Sequence, residues 1–254
     1  MQVSASPKSL LTAPGRHPLH SSAEAAALGA TVVFAPHPDD ESLGCGGLLA
    51  LLAEARIPAH VVVMTDGSRS HPNSLSHPSA TLATVREAET LKAASALGLP
   101  ATAVEFLRYP DCGLPPPGTI AFAEAAARLR EVIVALAPET VLIPWRRDPH
   151  CDHEATYHLL RAAVLGLDPA PRWLEYPIWA WPQAEGPCAP RADEGRAWRL
   201  DIAPALERKG QAIAQHRSQL GWLIRDDETG FVLQPQMLAH FQRPWELFIA
   251  PHDV

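Results

Sequence analysis

Short, unbroken apolar runs alternate along this chain with longer stretches whose apolar residues recur every three or four positions. Thr31–Ala35 and Ala59–Thr65 are apolar and β-branched on both faces, the pattern of strands covered on both sides in a parallel sheet. Val104–Leu107 and Thr140–Pro144 repeat that pattern. Trp173–Trp181 and Arg199–Ile202 read as further strands, the former at a sheet edge because Pro177 cannot donate to a ladder. Helical spacing covers Gly46–Arg56, Thr81–Leu97, Ile120–Leu136, Glu154–Leu165 and Ala205–Leu223, and Met237–Ala250 is a last aromatic-rich segment. With no repeat and no linker, the alternation predicts one α/β domain with a largely parallel sheet and helices on both faces. Residues 1–28 lack periodicity and read as an N-terminal arm, leaving 29–254 as the domain.

Composition narrows the classes of partner. The chain has 254 residues and a net charge of -7, so a nucleic-acid or anionic-membrane partner is disfavoured. No apolar run approaches the ~20 residues of a transmembrane segment, and no signal-peptide pattern opens the sequence. The four cysteines (Cys45, Cys112, Cys151 and Cys188) are scattered without a CxxC pair, which favours reduced thiols in a cytoplasmic protein. Proline clusters mark long loops at Leu114–Gly118, Asp168–Arg172 and Tyr176–Arg191. Nothing in the sequence decides whether the protein forms a homo-oligomer.

Two loops concentrate ligand-type side chains, and each follows a predicted strand. The first supplies His37, Asp39, Asp40 and Glu41; the second supplies Asp148, His150, Asp152 and His153. The first and fourth strands of a doubly wound sheet can lie side by side, which would bring both loops to one crevice. Two histidines and a carboxylate with an open fourth position form the ligand set of catalytic zinc. His37 and Asp40 stand three apart at a strand–helix turn, and His153 would close the set. Asp39 is then a spare carboxylate able to take a proton from an activated water. Glu41 reads as an acid complementing the helix dipole. Of the aromatics, Trp145 immediately precedes the second loop and is the one expected to stack on a sugar ring.

These two signatures, PHPDDE at Pro36–Glu41 and PHCDH at Pro149–His153, resemble those of the LmbE/PIG-L family of zinc-dependent N-acetylglucosaminyl deacetylases. TDG at Thr65–Gly67, the Arg86 and Glu89 pair, RYPDCGL at Arg108–Leu114 and HRSQL at His216–Leu220 occur in the family's order. The resemblance spans roughly Thr31 to Leu220 and implies a Rossmann-like fold. It implies Zn2+ on His37, Asp40 and His153, with Fe2+ or another divalent ion as the alternative. It also implies Asp39 as general base, His150 stabilising the oxyanion and Asp152 orienting a histidine. Arg86 and Asp111 match positions that face the sugar, although Arg86 could equally pair with Glu89. The implied substrate is a small amino-sugar conjugate or glycolipid that loses an acetyl group. An acid often follows TDG in this family, whereas Ser68 and Arg69 stand here.

Rival classes fit the residues less well. GCGG at Gly44–Gly47 echoes the glycine loop of S-adenosylmethionine methyltransferases, but the acids intervene between strand and glycines. Close packing of the first helix accounts for those glycines, and Cys45 is expected to be buried. Two-metal phosphoesterases need more bridging carboxylates. A non-catalytic sugar-binding module would not need Asp39 and His150 beside a full ligand set, though hydrolysis of another amide or ester remains compatible. Specificity is expected in Ser68–Ser79, Cys112–Thr119 and Tyr176–Arg196. His71, His77, His216 and His240 receive no role.

Overall fold

The structure, a computed structural model, describes residues 8–252. One eight-stranded sheet runs through it, with strands β1 (Leu19–His20), β2 (Thr31–Ala35), β3 (Ala59–Thr65), β4 (Val104–Tyr109), β5 (Thr140–Pro144), β6 (Arg172–Tyr176), β7 (Gly195–Asp201) and β8 (Trp245–Pro251). Their spatial order is β1-β7-β8-β6-β5-β2-β3-β4. All pairings are parallel except those of β8, which runs antiparallel to both β6 and β7. The α-helices are α1 (Asp40–Glu54), α2 (Ser79–Leu97), α3 (Ile120–Leu136), α4 (Cys151–Val164), α5 (Leu206–Ile213) and α6 (Pro235–Phe241).

Strand side chains alternate between two cores because successive residues point to opposite faces. Val33, Val61, Val63 and Leu142 pack with α1, α2 and α5. Val32, Phe34, Val62, Val141 and Ile143 pack with α3 and α4 on the other face. The chain leaves β2 toward β3 and β4, then returns to place β5 on the opposite side of β2. Strand order therefore reverses between β2 and β5, and a crevice opens beyond their carboxyl ends. That puts both ligand-rich loops at one place.

Several expectations change. β6 lies inside the sheet between β5 and β8, not at an edge. Pro177 stands just past its last residue and so withdraws no ladder donor. The helix expected to begin at Gly46 begins at Asp40, and the one expected to reach Leu223 ends at Ile213. Beyond Ile213 the polar residues of HRSQL bond to α1 and α2 instead of continuing a helix: Ser218 donates its N–H and hydroxyl to Glu89 at 2.8 and 2.6 Å. Met237–Ala250 divides into α6 and β8. In the stretch expected to be an arm, Leu19–His20 pairs with β7, and a 3-10 turn at Ser22–Leu28 precedes β2. Residues 1–7 of that stretch lie outside the described residues.

The glycines serve packing, as the sequence suggested, but from within α1. A Cβ on Gly44 would strike the Tyr176 ring, and one on Gly47 would strike Ile202. Cys45 between them is fully buried.

Candidate metal centre

The turn after β2 is rigid and strained. Asp39 holds φ at 135°, a backbone conformation costly for any residue with a Cβ. Its N–H donates to Glu41 Oε2 at 3.0 Å, and its carbonyl accepts from Ser42 and Leu43 to start α1. Asp40 Oδ2 accepts from the His37 N–H at 2.9 Å and lies 3.3 Å from His37 Nδ1. The same oxygen lies 3.2 Å from Nε2 of His153, which β5 and the first turn of α4 deliver from the other side. Bonds of ~2.0–2.2 Å at tetrahedral angles would place ligand atoms about 3.4 Å apart. Both contacts of the Asp40 oxygen match that separation.

A carboxylate stands behind each imidazole. His37 Nε2 lies 3.0 Å from Asp152 Oδ2, which also accepts from the Cys112 N–H at 2.8 Å. His153 Nδ1 lies 2.8 Å from Asp148 Oδ2. Asp148 is held in place by three backbone donors, the N–H groups of Ile178, Trp179 and Ala180 at 3.3, 2.9 and 2.7 Å. Carboxylates in this position fix the orientation of metal-binding histidines and raise their basicity. Asp152 thus lies where a residue orienting a histidine should, and Asp148 forms an equivalent contact that sequence reasoning left without a role. Two acids four residues apart in one short segment concealed the distinction.

The electrostatics are those of a site built for positive charge. Burial alone would depress His37, yet Asp152 and Asp40 outweigh it and push the imidazole up to about 9. His153 is likewise driven up to about 10, burial being overcome by Asp40 and Asp148. Asp40 ionises well below the usual carboxylate range, because the two imidazoles overcome its burial. Asp39 moves the other way, to about 6: burial raises it, Arg86 opposes, and Asp40 adds to the rise. Both nitrogens of His153 are fully buried and face only carboxylates, Asp40 at Nε2 and Asp148 at Nδ1. Two imidazoles, a carboxylate oxygen at ligand spacing from both and an excess of carboxylates fit a divalent cation. Three wider sets of potential donors also lie within 4.8 Å of one another: His37, His150 and His153; His37, Asp111 and Asp152; and Cys112, His150 and Cys151.

Arg86 does not pair with Glu89. It is buried, and its guanidinium donates to the Gly67 carbonyl at 2.9 Å, the Pro38 carbonyl at 2.5 Å and Asp39 Oδ2 at 3.1 Å. Gly67 has φ at 60°, and any Cβ there would strike this guanidinium. Glu41 stands in the first turn of α1, buried, 3.2 Å from His216 Nε2, and accepts from the Ser42 hydroxyl at 2.7 Å.

Above the cluster opens a pocket of ≈370 Å³. Asp39, Asp40, His37, His150, Arg86 and Asp111 reach its wall. Trp145 does not: it is fully buried, its indole N–H bonded to the Cys188 carbonyl at 2.7 Å. Trp179 lines the pocket instead, with Phe231, Leu233 and Gln219. Arg69, Ser70, Cys112 and Trp179 come from the three loops expected to set specificity, whereas Gln219, Phe231 and Leu233 were not foreseen. The last group is tied to the loop after β3: Gln219 Nε2 donates to the Ser70 hydroxyl at 3.1 Å, the Phe231 N–H to the Ser70 carbonyl at 2.6 Å, and the Leu233 N–H to the Gln219 carbonyl at 2.8 Å. Of the four histidines without a role, none lines the pocket. His216 braces Glu41, His71 packs on Gly230, His77 meets Ser76 and His240 stacks on Trp181.

No helix among the described residues is long and apolar enough to cross a membrane. No curated protein matches the chain in sequence. Among solved structures, a conserved protein from Thermus thermophilus is 25% identical with a TM-score of 0.64, over 88% of this chain and 95% of that one. An N,N'-diacetylchitobiose deacetylase from Pyrococcus horikoshii is 24% identical with a TM-score of 0.59, over 82% of this chain and 73% of that one. GalB, the 4-carboxy-2-hydroxymuconate hydratase of Pseudomonas putida KT2440, is also 24% identical, with a TM-score of 0.62 over 85% and 83%. These likenesses establish the fold. The sequence profile of the PIG-L family, described as GlcNAc-PI de-N-acetylase, matches residues 32–164. That is more than half of the chain, and the chain belongs to this family.

Proposed function

We propose that this member of the PIG-L family is a zinc-dependent hydrolase that removes the acetyl group from an N-acetylglucosamine-type conjugate. The observation that carries the reading is the convergence of His37, Asp40 and His153 on one spot beneath an open pocket, with the spare carboxylate of Asp39 beside them. In this reading His37, Asp40 and His153 hold the ion. Two imidazoles and one carboxylate with an open position suit zinc, and also Fe2+. When bound, the cation polarises the acetamide carbonyl and acidifies a water.

The remaining steps belong to the chain's own side chains. Asp39, held near 6 and clamped by Arg86, takes the proton of the attacking water and passes it to the departing amine. Arg86 meanwhile keeps that carboxylate ionised and aimed. His150 Nδ1 accepts the Asp152 N–H at 3.2 Å, so the proton of the neutral ring sits on Nε2. Burial and the neighbouring imidazoles push His150 down to about 4, which keeps it neutral. Its Nε2–H then donates to the oxygen that becomes negative as water adds. Asp152 orients His37, and Asp148 orients His153. Asp111 and Trp179 offer a polar and an aromatic wall to the sugar. The unpaired thiols favour a cytoplasmic setting.

Acetate release from N-acetylglucosamine conjugates tests the reading. Hydrolysis should vanish with a chelator and return on adding zinc. A zinc-loaded protein that frees no acetate from any N-acetyl amino sugar would refute it.

A further inference from the structure

Two thiols from different loops meet at the rim of the pocket. Cys112 lies in the turn after β4 and Cys151 is the first residue of α4, and both are exposed. The loops are tied together, because the Cys112 N–H donates to Asp152 Oδ2 at 2.8 Å. Both sulfurs and a ring nitrogen of His150 lie within 4.8 Å of one another, and Cys151 Sγ is 4.0 Å from His150 Nδ1. Asp111 Oδ1 lies 3.5 Å from Cys112 Sγ.

We propose that Cys112, Cys151 and His150 form a second cation site, selective for thiophilic divalent ions such as Cd2+ or excess Zn2+, whose occupation switches the enzyme off. Soft sulfur donors prefer such ions to Mg2+ or Ca2+. Metal–sulfur bonds of ~2.3 Å and metal–nitrogen bonds of ~2.0 Å call for donors about 3.6–3.8 Å apart. The side chains need to close by roughly 1 Å at most, which two exposed thiols can do by small rotations. Binding replaces the two thiol protons, which pass to solvent, and the nearby Asp111 and Asp152 carboxylates favour the incoming positive charge. The cation takes His150 Nδ1 from the Asp152 N–H that orients the ring, so the imidazole turns and its Nε2–H no longer aims at the oxyanion. Inhibition rests on the role proposed for His150, whereas binding does not.

The test uses the full chain, loaded with one equivalent of zinc and kept reduced with a phosphine. Cadmium is then titrated while the thiolate-to-metal charge-transfer absorption and acetate release are followed. The histidine–aspartate centre contains no sulfur and adds nothing to that band. The band should saturate at one further cadmium per chain, and Cys112→Ser and Cys151→Ser should each remove it. Acetate release should fall roughly 100-fold as the site fills, the loss expected for withdrawing one oxyanion donor. Each serine variant should keep its own rate when cadmium is added. Absence of the band, or its survival in both variants, would overturn the site. A saturated band with unchanged acetate release would overturn the switch. The band alone still decides the site should no acetate be released under any condition.

Discussion

Helix α1 carries buried charge at two places that differ in kind. Near its middle, Glu246 accepts the Gly47 and Leu48 N–H groups at 2.6 and 2.8 Å and the Lys209 ammonium at 2.7 Å. Both side chains are about 2% exposed, and the crevice beside them measures ≈10 Å³, room for a single water at most. One anion meets one cation, and every charge is answered within the protein. At the start of α1, Asp39 and Asp40 join Asp111, Asp148 and Asp152 around His37 and His153. There the carboxylates outnumber the imidazoles, Arg86 Nε has no hydrogen-bond partner, and a pocket of ≈370 Å³ opens overhead. Burial of charge alone therefore does not mark a functional site. What marks it is charge that the protein leaves unanswered, facing a space that a ligand can enter.

The comparison breaks most sharply through Asp39. Asp39→Ala should cut turnover by roughly 10²–10⁴, the usual worth of a general base, while metal content stays near that of the native protein. Acetate release read beside metal analysis of the same sample checks this, and near-normal turnover would remove Asp39 from the chemistry.

Lys209→Met should do the reverse. Stranding Glu246 without its cation should cost about 3 kcal/mol in urea unfolding, with turnover per folded molecule unchanged. A collapse of turnover at unchanged stability would mean that the two places on α1 are not separable.

A finer effect sharpens the contrast in pH. In the cation-free protein His37 and His153 are held protonated, up to about 9 and 10. Raised values of this kind stabilise the cation-free fold below about pH 6.5, the free imidazole's own range, and that contribution fades as pH rises through 9 and 10. At neutral pH an incoming divalent ion must displace these protons, so its apparent affinity should rise with pH up to that range and then level off. Calorimetry in buffers of different ionisation enthalpy should register roughly two protons released per ion at pH 7. Release of none would mean that the histidines are already neutral.

The difference between the two places also explains what could be read from the chain. PHPDDE and PHCDH each follow a strand, so their meeting followed from strand order alone, and β2 and β5 are neighbours. Lys209 and Glu246 lie 37 residues apart in segments with no shared pattern, and nothing local signals their pairing. Asp148 looked like one more loop acid, because its three backbone donors come from residues 178–180. Trp145 and Trp179 exchanged places for a similar reason. Sequence proximity favoured Trp145, but its indole turns inward to the Cys188 carbonyl, while the chain beyond β6 carries Trp179 over the pocket. Pro177 suggested an edge, yet a proline one residue past a strand leaves the ladder intact.

Weighing the protein decides whether the charge at the start of α1 holds a divalent cation with Asp39 outside the ligand set. Native mass spectrometry in a Cys112→Ser background, after zinc loading and removal of loosely bound ions, should find one zinc per chain in the parent protein and in Asp39→Asn. It should find none in Asp40→Asn or His153→Ala. Equal zinc in all four proteins, or its loss from Asp39→Asn alone, would contradict the account.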